Sequence, residues 1–274
     1  MLDRTIAQLP GRPGSPRVIA VANQKGGVGK TTTAVNLATA MAAIGERVLL
    51  IDLDSQGNAS TNLGVEAGAR DTGSYALLLG QASLYDAARA TDIPDLFLVP
   101  SDANLAGAEV EIATASYREF RLQQALQAAS ETGSPFTYVL IDCPPSLGLL
   151  TINALVAADA VLIPLQCEFF ALEGLSQLIR TIERVRQHLN PKLALQGIVL
   201  TMFDRRNNLS ELVAADARGF FGERVYDTVI PRNVRISEAP SHGKPILLYD
   251  IRSPGAQAYI RLAAEVMRRE RTLA

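Results

Sequence analysis

The chain has 274 residues, 26 Lys+Arg against 28 Asp+Glu, 48% hydrophobic residues and no Trp. This composition excludes collagen-like, disordered and coiled-coil chains, because it supplies ample apolar side chains to bury, with 20 Gly and 14 Pro as punctuation. The net charge of −2 is a cancellation: residues 1–179 hold 10 Lys+Arg and 18 Asp+Glu, a net −8, whereas residues 180–274 hold 16 and 10, a net +6. A basic last third suggests a surface that faces polyanions.

In chain order, residues 1–16 contain Arg4, Arg12 and three Pro but no apolar run of signal-peptide length. They are expected to form a flexible arm ahead of a single domain over 17–274, since no Pro/Gly/Ser-rich or charged linker divides the interior. Runs rich in Val, Ile and Leu then recur at 18–22, 48–52, 96–99, 138–142, 160–165, 197–202 and 225–230, with stretches of helical period between them. That alternation predicts an α/β fold, three-layered and doubly wound, with a mostly parallel sheet and helices on both faces. The stretch 31–44 carries Val35, Leu37, Ala38, Met41 and Ala42 at helical spacing and stops at Gly45. A second helix is expected over 172–189, closed by Asn190-Pro191. A third, over 254–271, begins with Pro and ends basic, as the helix dipole favours. The apolar stretch 147–165 is interrupted by Thr151, Asn153, Asp159 and Pro164, so it does not read as a membrane span. Cys143 and Cys167 are too few and too distant for a disulfide scaffold or a CxxC pair, which points to the cytoplasm and to two buried apolar residues.

Between the first strand and the first helix the chain reads Asn23-Gln24-Lys25-Gly26-Gly27-Val28-Gly29-Lys30-Thr31-Thr32-Thr33. Glycines let such a loop curl its N–H groups around a phosphate chain at a helix N-terminus. Lys25 through Thr32 are therefore the candidate contacts to the phosphates of a nucleotide. Lys30 would reach the β- and γ-phosphates, and the Thr31 hydroxyl would ligate Mg²⁺ directly. The pattern departs from G-x-x-x-x-G-K-[ST], because Gln24 stands at the first Gly and a second lysine, Lys25, sits inside the loop. Lys25 could tuck onto its own nucleotide or project toward one held by a facing subunit, as an arginine finger does.

With this loop the chain resembles the deviant-Walker ATPases, and within them the ParA/Soj chromosome- and plasmid-partition proteins. The resemblance runs from about Arg17 to about Arg268. Besides the loop it is carried by Asp52-Leu-Asp-Ser-Gln-Gly-Asn58, Ile141-Asp-Cys-Pro-Pro145 and Ile230-Pro-Arg-Asn-Val-Arg-Ile-Ser-Glu-Ala-Pro-Ser241.

Asp52 and Asp54 fall on one side of an extended chain, at a strand end of the kind that meets ligands in open α/β sheets. The resemblance implies that Asp54 positions the attacking water. Ser55 replaces the proline of the family's D-x-D-P-Q, and Asp52 either joins the site or caps the following turn. The stretch 138–142 has the Walker B form, so Asp142 would hold Mg²⁺ through a water, with Asp54 a further water-mediated candidate. Pro144-Pro145 stiffen a segment suited to sensing the γ-phosphate, and His188 and His242 read as structural or solvated.

The resemblance also implies an adenine site along 230–233, with Pro231 as an apolar wall, Asn233 as donor and acceptor, and Met202 as a further contact. Of the 26 basic residues, 22 are Arg, and the resemblance assigns non-specific DNA binding to Arg206 and Arg235; Arg205, Arg218 and Arg261 are further candidates. No segment of the arm accommodates a helix-turn-helix, so base reading is not expected.

What the resemblance implies as a whole is an ATPase using ATP and Mg²⁺, with weak intrinsic activity. It closes as an ATP-dependent homodimer and holds double-stranded DNA without sequence preference. A ParB/Spo0J-type centromere-binding protein then stimulates hydrolysis and release, in the cytoplasm on the nucleoid. One alternative is a MinD-like membrane-surface ATPase. It needs an amphipathic C-terminal anchor, and the last seven residues offer only Leu273, so no stable membrane binding is expected. An iron–sulfur carrier would need clustered cysteines. A nucleotide-gated adaptor with negligible turnover is not distinguished by sequence.

Overall fold

The computed structural model describes residues 15–131, 133–168 and 171–273; all but two residues of the expected arm lie outside the described residues. Seven strands, β1 (Arg17–Val21), β2 (Val48–Asp52), β3 (Arg89–Ala90), β4 (Leu96–Val99), β5 (Tyr138–Asp142), β6 (Ala160–Gln166) and β7 (Ala194–Thr201), form one sheet in the order β3-β4-β2-β5-β1-β6-β7. Every pairing is parallel except that of β3 with β4.

Successive residues of a strand serve opposite layers, which is why these strands are apolar throughout. Val18 and Ala20 of β1 join one core with helices Arg121–Glu131, Leu149–Ala157, Ala171–His188 and Asn208–Phe221. Ile19 and Val21 join the other, against helices Lys30–Ala43 and Pro254–Leu273. The architecture is thus three layers, as the sequence pattern predicts. The three expected helices form within two residues of their expected bounds.

The expected strand over 225–230 does not form. The segment runs beside β7 with isolated bridges, Ile198 to Val225 and, just past the end of each, Phe203 to Pro231, and with two backbone bonds, Tyr226 N–H to the Ile198 carbonyl at 2.9 Å and Ile230 N–H to the Leu200 carbonyl at 2.8 Å. The physical reason is competition for donors: the Asp227 and Thr228 N–H groups donate to the two Glu265 carboxylate oxygens, each at 2.9 Å, and so are lost to the sheet. The two-residue β3 is an antiparallel edge too short to show periodicity.

What matters for function is where the strands end. β1, β5 and β2 are neighbours, with Val21 opposite Asp142 and Asp142 opposite Asp52. The glycine loop, the Walker B loop and the Asp52–Asp54 turn therefore converge at one edge.

Candidate functional site

The glycine loop leaves β1 and re-enters structure at helix Lys30–Ala43, whose N-cap is Gly29 at φ 87°. A side chain at that left-handed position would be strained, so glycine is needed for the loop to close on the helix. Three side chains outside the phosphate pattern fix the loop's course. Buried Asn23 donates to the Pro164 carbonyl of β6 at 2.8 Å and accepts the Lys25 N–H at 3.0 Å. Gln24, at the departure from the common pattern, donates to the Gly174 carbonyl and to Gln177. Thr201 at the end of β7 donates to the Val28 carbonyl at 2.8 Å.

The two lysines have opposite environments. Lys30 is buried and its Nζ donates to the Lys25 carbonyl at 3.0 Å. Burial pulls its pKa down, and the Asp142 carboxylate is the leading influence that resists. Lys25 extends to the surface and pairs with Glu168, just beyond β6.

Asp142 is fully buried at the end of β5, and neither of its carboxylate oxygens has a hydrogen-bond partner. Burial and then the Asp52 charge push its pKa well above the ordinary range; the Thr31 hydroxyl lies near enough to oppose this without forming a well-directed bond. Asp52 differs. It accepts from Ser60 N at 2.9 Å, Ser60 Oγ at 2.7 Å and Asp54 N at 3.2 Å, so it organises the turn as the capping alternative requires. Burial still pushes its pKa up to about 6, against the pull of the Ser60 bonds. Asp54 is nearly buried, and its Oδ1 accepts the Gln56 N–H at 3.0 Å. On the far side of the Walker B loop, Glu109 accepts the Leu150 N–H at 3.1 Å and caps helix Leu149–Ala157.

Met202, Pro231 and Asn233 line one cavity of ≈ 350 Å³ together with Gly29, Thr32 and Tyr259. Phosphate-side and base-side candidates thus border a single space. Asn233 Oδ1 accepts the Arg235 N–H at 2.9 Å as a helix cap, which orients its amide and leaves the NH₂ as the group best placed to donate. Met202 holds a left-handed φ of 50° where the chain turns out of β7.

The arginines gather only in part. Arg205 and Arg206 follow β7, and Arg235 follows the neighbouring loop, joined through Phe203 N to the Ile230 carbonyl and Arg232 N to the Phe203 carbonyl, both 3.0 Å. Arg206 is 89% exposed and makes a bidentate pair with Asp204, at 3.0 and 2.9 Å. Arg235 pairs with Glu238 at 2.8 Å and with Asp250 at 3.8 Å. Arg218 lies at the far end of helix Asn208–Phe221, beside Lys192 and Arg224. Arg261 lies on helix Pro254–Leu273, which covers the opposite face of the sheet.

Sequence reading missed Asn23, Ser60, Glu109, Glu168 and Thr201, because their roles arise from partners brought close only by folding. Thr201 alone carried a local signal, a polar residue ending an apolar strand.

Residues 16–195 match a family described as AAA domain. The chain is 64% identical over 255 residues to the chromosome partitioning protein ParA of Caulobacter vibrioides, covering 93% of this chain and 95% of that one. It is 53% identical over 250 residues to the sporulation initiation inhibitor protein Soj of Bacillus subtilis, covering 91% and 98%. Among solved structures, cobyrinic acid a,c-diamide synthase from Mycobacterium smegmatis with bound ADP and magnesium superposes with a TM-score of 0.82 at 38% identity, covering 94% of this chain and 97% of that one. The chain belongs to the ParA/Soj family of P-loop ATPases.

Proposed function

We propose that this chain is a DNA-segregation ATPase that hydrolyses ATP to ADP and phosphate, dimerises with ATP, and holds duplex DNA without sequence preference while dimeric. The observation that carries the nucleotide half is Asp142: a fully buried carboxylate with two unpartnered oxygens beside the buried Lys30 ammonium and Thr31. Leaving such a group unpaired is costly, and a cation with its waters fits the need. Among the described residues no three His, Cys, Asp or Glu side chains form a metal cage. That suits Mg²⁺, which takes most of its ligands from phosphate and water.

The backbone N–H groups of Gly26, Gly27, Val28 and Gly29, with Thr31 and Thr32 at the helix start, receive the phosphates, and Lys30 neutralises their charge. Thr31 directly, and Asp142 and secondarily Asp54 through water, would hold Mg²⁺, which would supply charge neutralisation to the phosphates. Asp54 orients the attacking water, fixed by the bond from its own N–H to Asp52. Lys25 leaves Glu168 when a second copy docks and reaches the nucleotide of that copy, which makes hydrolysis depend on the dimer. Adenine occupies the cavity of Met202, Pro231 and Asn233, taking the free Asn233 amide donor.

Arg206 and Arg235, with Arg205 beside them, bind DNA phosphates once freed from their acidic neighbours; Arg218 and Arg261 are outlying contacts. A ParB-type centromere-binding protein stimulates turnover and release on the nucleoid. This function is tested by fluorescence anisotropy of a labelled duplex with ATP, with ADP and with no nucleotide, across a salt series. Binding is expected only with ATP, with log affinity falling linearly in log salt. Binding that ignores nucleotide or salt overturns it.

A further inference from the structure

The Asp54 turn is held from behind by a buried arginine that takes no part in the chemistry proposed so far. Arg70 is only 7% exposed, and all its partners are neutral oxygens. Its Nε donates to the Val65 carbonyl at 3.1 Å. Its Nη1 donates to the carbonyls of Gly57 at 3.2 Å and Ser101 at 3.1 Å. Its Nη2 donates to Thr61 Oγ1 at 2.8 Å and again to Val65 at 2.6 Å. A guanidinium has five N–H donors in a rigid fork, and here every one is used.

Gly57 is where this clamp meets the catalytic turn. The Gly57 N–H donates to the Asp54 carbonyl at 2.8 Å, closing a four-residue turn, while the Gly57 carbonyl accepts from Arg70. Gly57 sits at a left-handed φ of 60°, and a Cβ there would overlap both the guanidinium and the Ser101 carbonyl. Ser60, bonded to Asp52, also accepts the Ser101 N–H at 3.0 Å, so Arg70 and Asp52 grip the turn from two sides through Ser101. Ser55 occupies the second position of the turn, where proline would preset φ.

We propose that Arg70 is a positioning residue for hydrolysis, fixing the turn that aims Asp54 at the attacking water; this rests on the chain being an ATPase, as proposed. In a chain with Ser55 at the position of greatest freedom, the guanidinium clamp supplies stiffness that proline would otherwise give.

The test compares the intact chain with Arg70→Lys, Thr61→Val and the double variant Arg70→Lys/Ser55→Pro, by equilibrium binding of a fluorescent ATP analogue and single-turnover hydrolysis of prebound ATP. Lysine cannot reproduce the fork. Arg70→Lys is expected to slow hydrolysis on the order of tenfold or more, the scale of a slightly misplaced catalytic group, while nucleotide affinity stays within about threefold. Ser55→Pro in that background is expected to recover part of the lost rate, which a general fold brace would not allow. Thr61→Val, which removes the bond from Arg70 Nη2 and the bond that Thr61 Oγ1 donates to the Gly57 carbonyl at 3.0 Å but leaves the rest of the fork in place, shows the same selective loss at smaller size and decides the matter if Arg70→Lys does not fold. Undiminished hydrolysis in Arg70→Lys, or in Thr61→Val where it is the deciding variant, overturns the proposal. So does a parallel loss of binding and hydrolysis that Ser55→Pro leaves unrepaired. If the unaltered chain hydrolyses no ATP, the proposed ATPase function fails instead.

Discussion

The nucleotide cradle and the arginine flank are built by opposite rules. In the cradle, Lys30, Asp52 and Asp142 are buried; Lys30 is held by the Lys25 carbonyl of its own loop and Asp52 by Ser60 on the helix that follows. On the flank, Arg206 and Arg235 are exposed and tied to acidic side chains at the surface, Asp204 for the first and Glu238 and Asp250 for the second. Buried groups act through position, and changing one leaves another unpaired at a cost of about 1–3 kcal/mol or more. Exposed charges act through the field they add to, and salt screens them. The two regions nevertheless share backbone: Met202 and Asn233 border the cavity proposed for the base only a few residues before Arg206 and Arg235.

Substitutions can break this contrast in graded steps. Lys30→Ala should cost the most, weakening nucleotide affinity on the order of a hundredfold by removing a buried charge-assisted interaction, as read by equilibrium binding. Asp54→Ala should slow hydrolysis at least about a hundredfold while leaving an ATP-dependent dimer in place, seen as a persistent heavy species in sedimentation. Lys25→Ala should keep nucleotide binding, since its side chain reaches Glu168 and not the loop interior, yet lose the turnover stimulated by DNA and partner. Full stimulated turnover in that variant would contradict the exchange of lysines between copies.

The flank should respond more gently. Arg235→Ala should lower the log–log salt slope of DNA binding by about 0.9 for each DNA phosphate that the arginine no longer neutralises, with little change in hydrolysis. Asp204→Asn should strengthen DNA binding by releasing Arg206. Hydrogen bonds from Arg206 hold the Asp204 pKa down to about 2, so that pair is fully formed at neutral pH and breaks only as pH falls toward 2. Mild acid therefore cannot imitate the substitution, and DNA binding from pH 6 to 8 should not vary through this pair.

The two regions also differ in how far the sequence reveals them. The phosphate loop is contiguous, so its glycines, Lys30 and Thr31 are readable from spacing, and the uniformly apolar strands announce two covered faces. The cradle's supports are not readable in this way: Thr201 reaches Val28 across 173 residues and Lys25 meets Glu168 across 143. The segment 225–230 has strand-like composition, but one distant carboxylate, Glu265, takes two of its donors. Charge counting located the basic last third yet not its division, because Arg218 and Arg261 have similar local sequence settings and lie over opposite faces of the sheet.

In the proposed function the nucleotide joins the two regions: ATP in the cradle would bring two copies together and so create a DNA-holding surface. Sedimentation velocity with ADP, ATP or a slowly hydrolysed analogue, each with and without a duplex of arbitrary sequence, examines both halves of that link at once. The expected result is a monomer with ADP whether or not DNA is present, a dimer with ATP or the analogue, and co-sedimentation of that dimer with DNA. A monomer that binds DNA equally well with ADP, or an ATP dimer that ignores DNA at low salt, would contradict it.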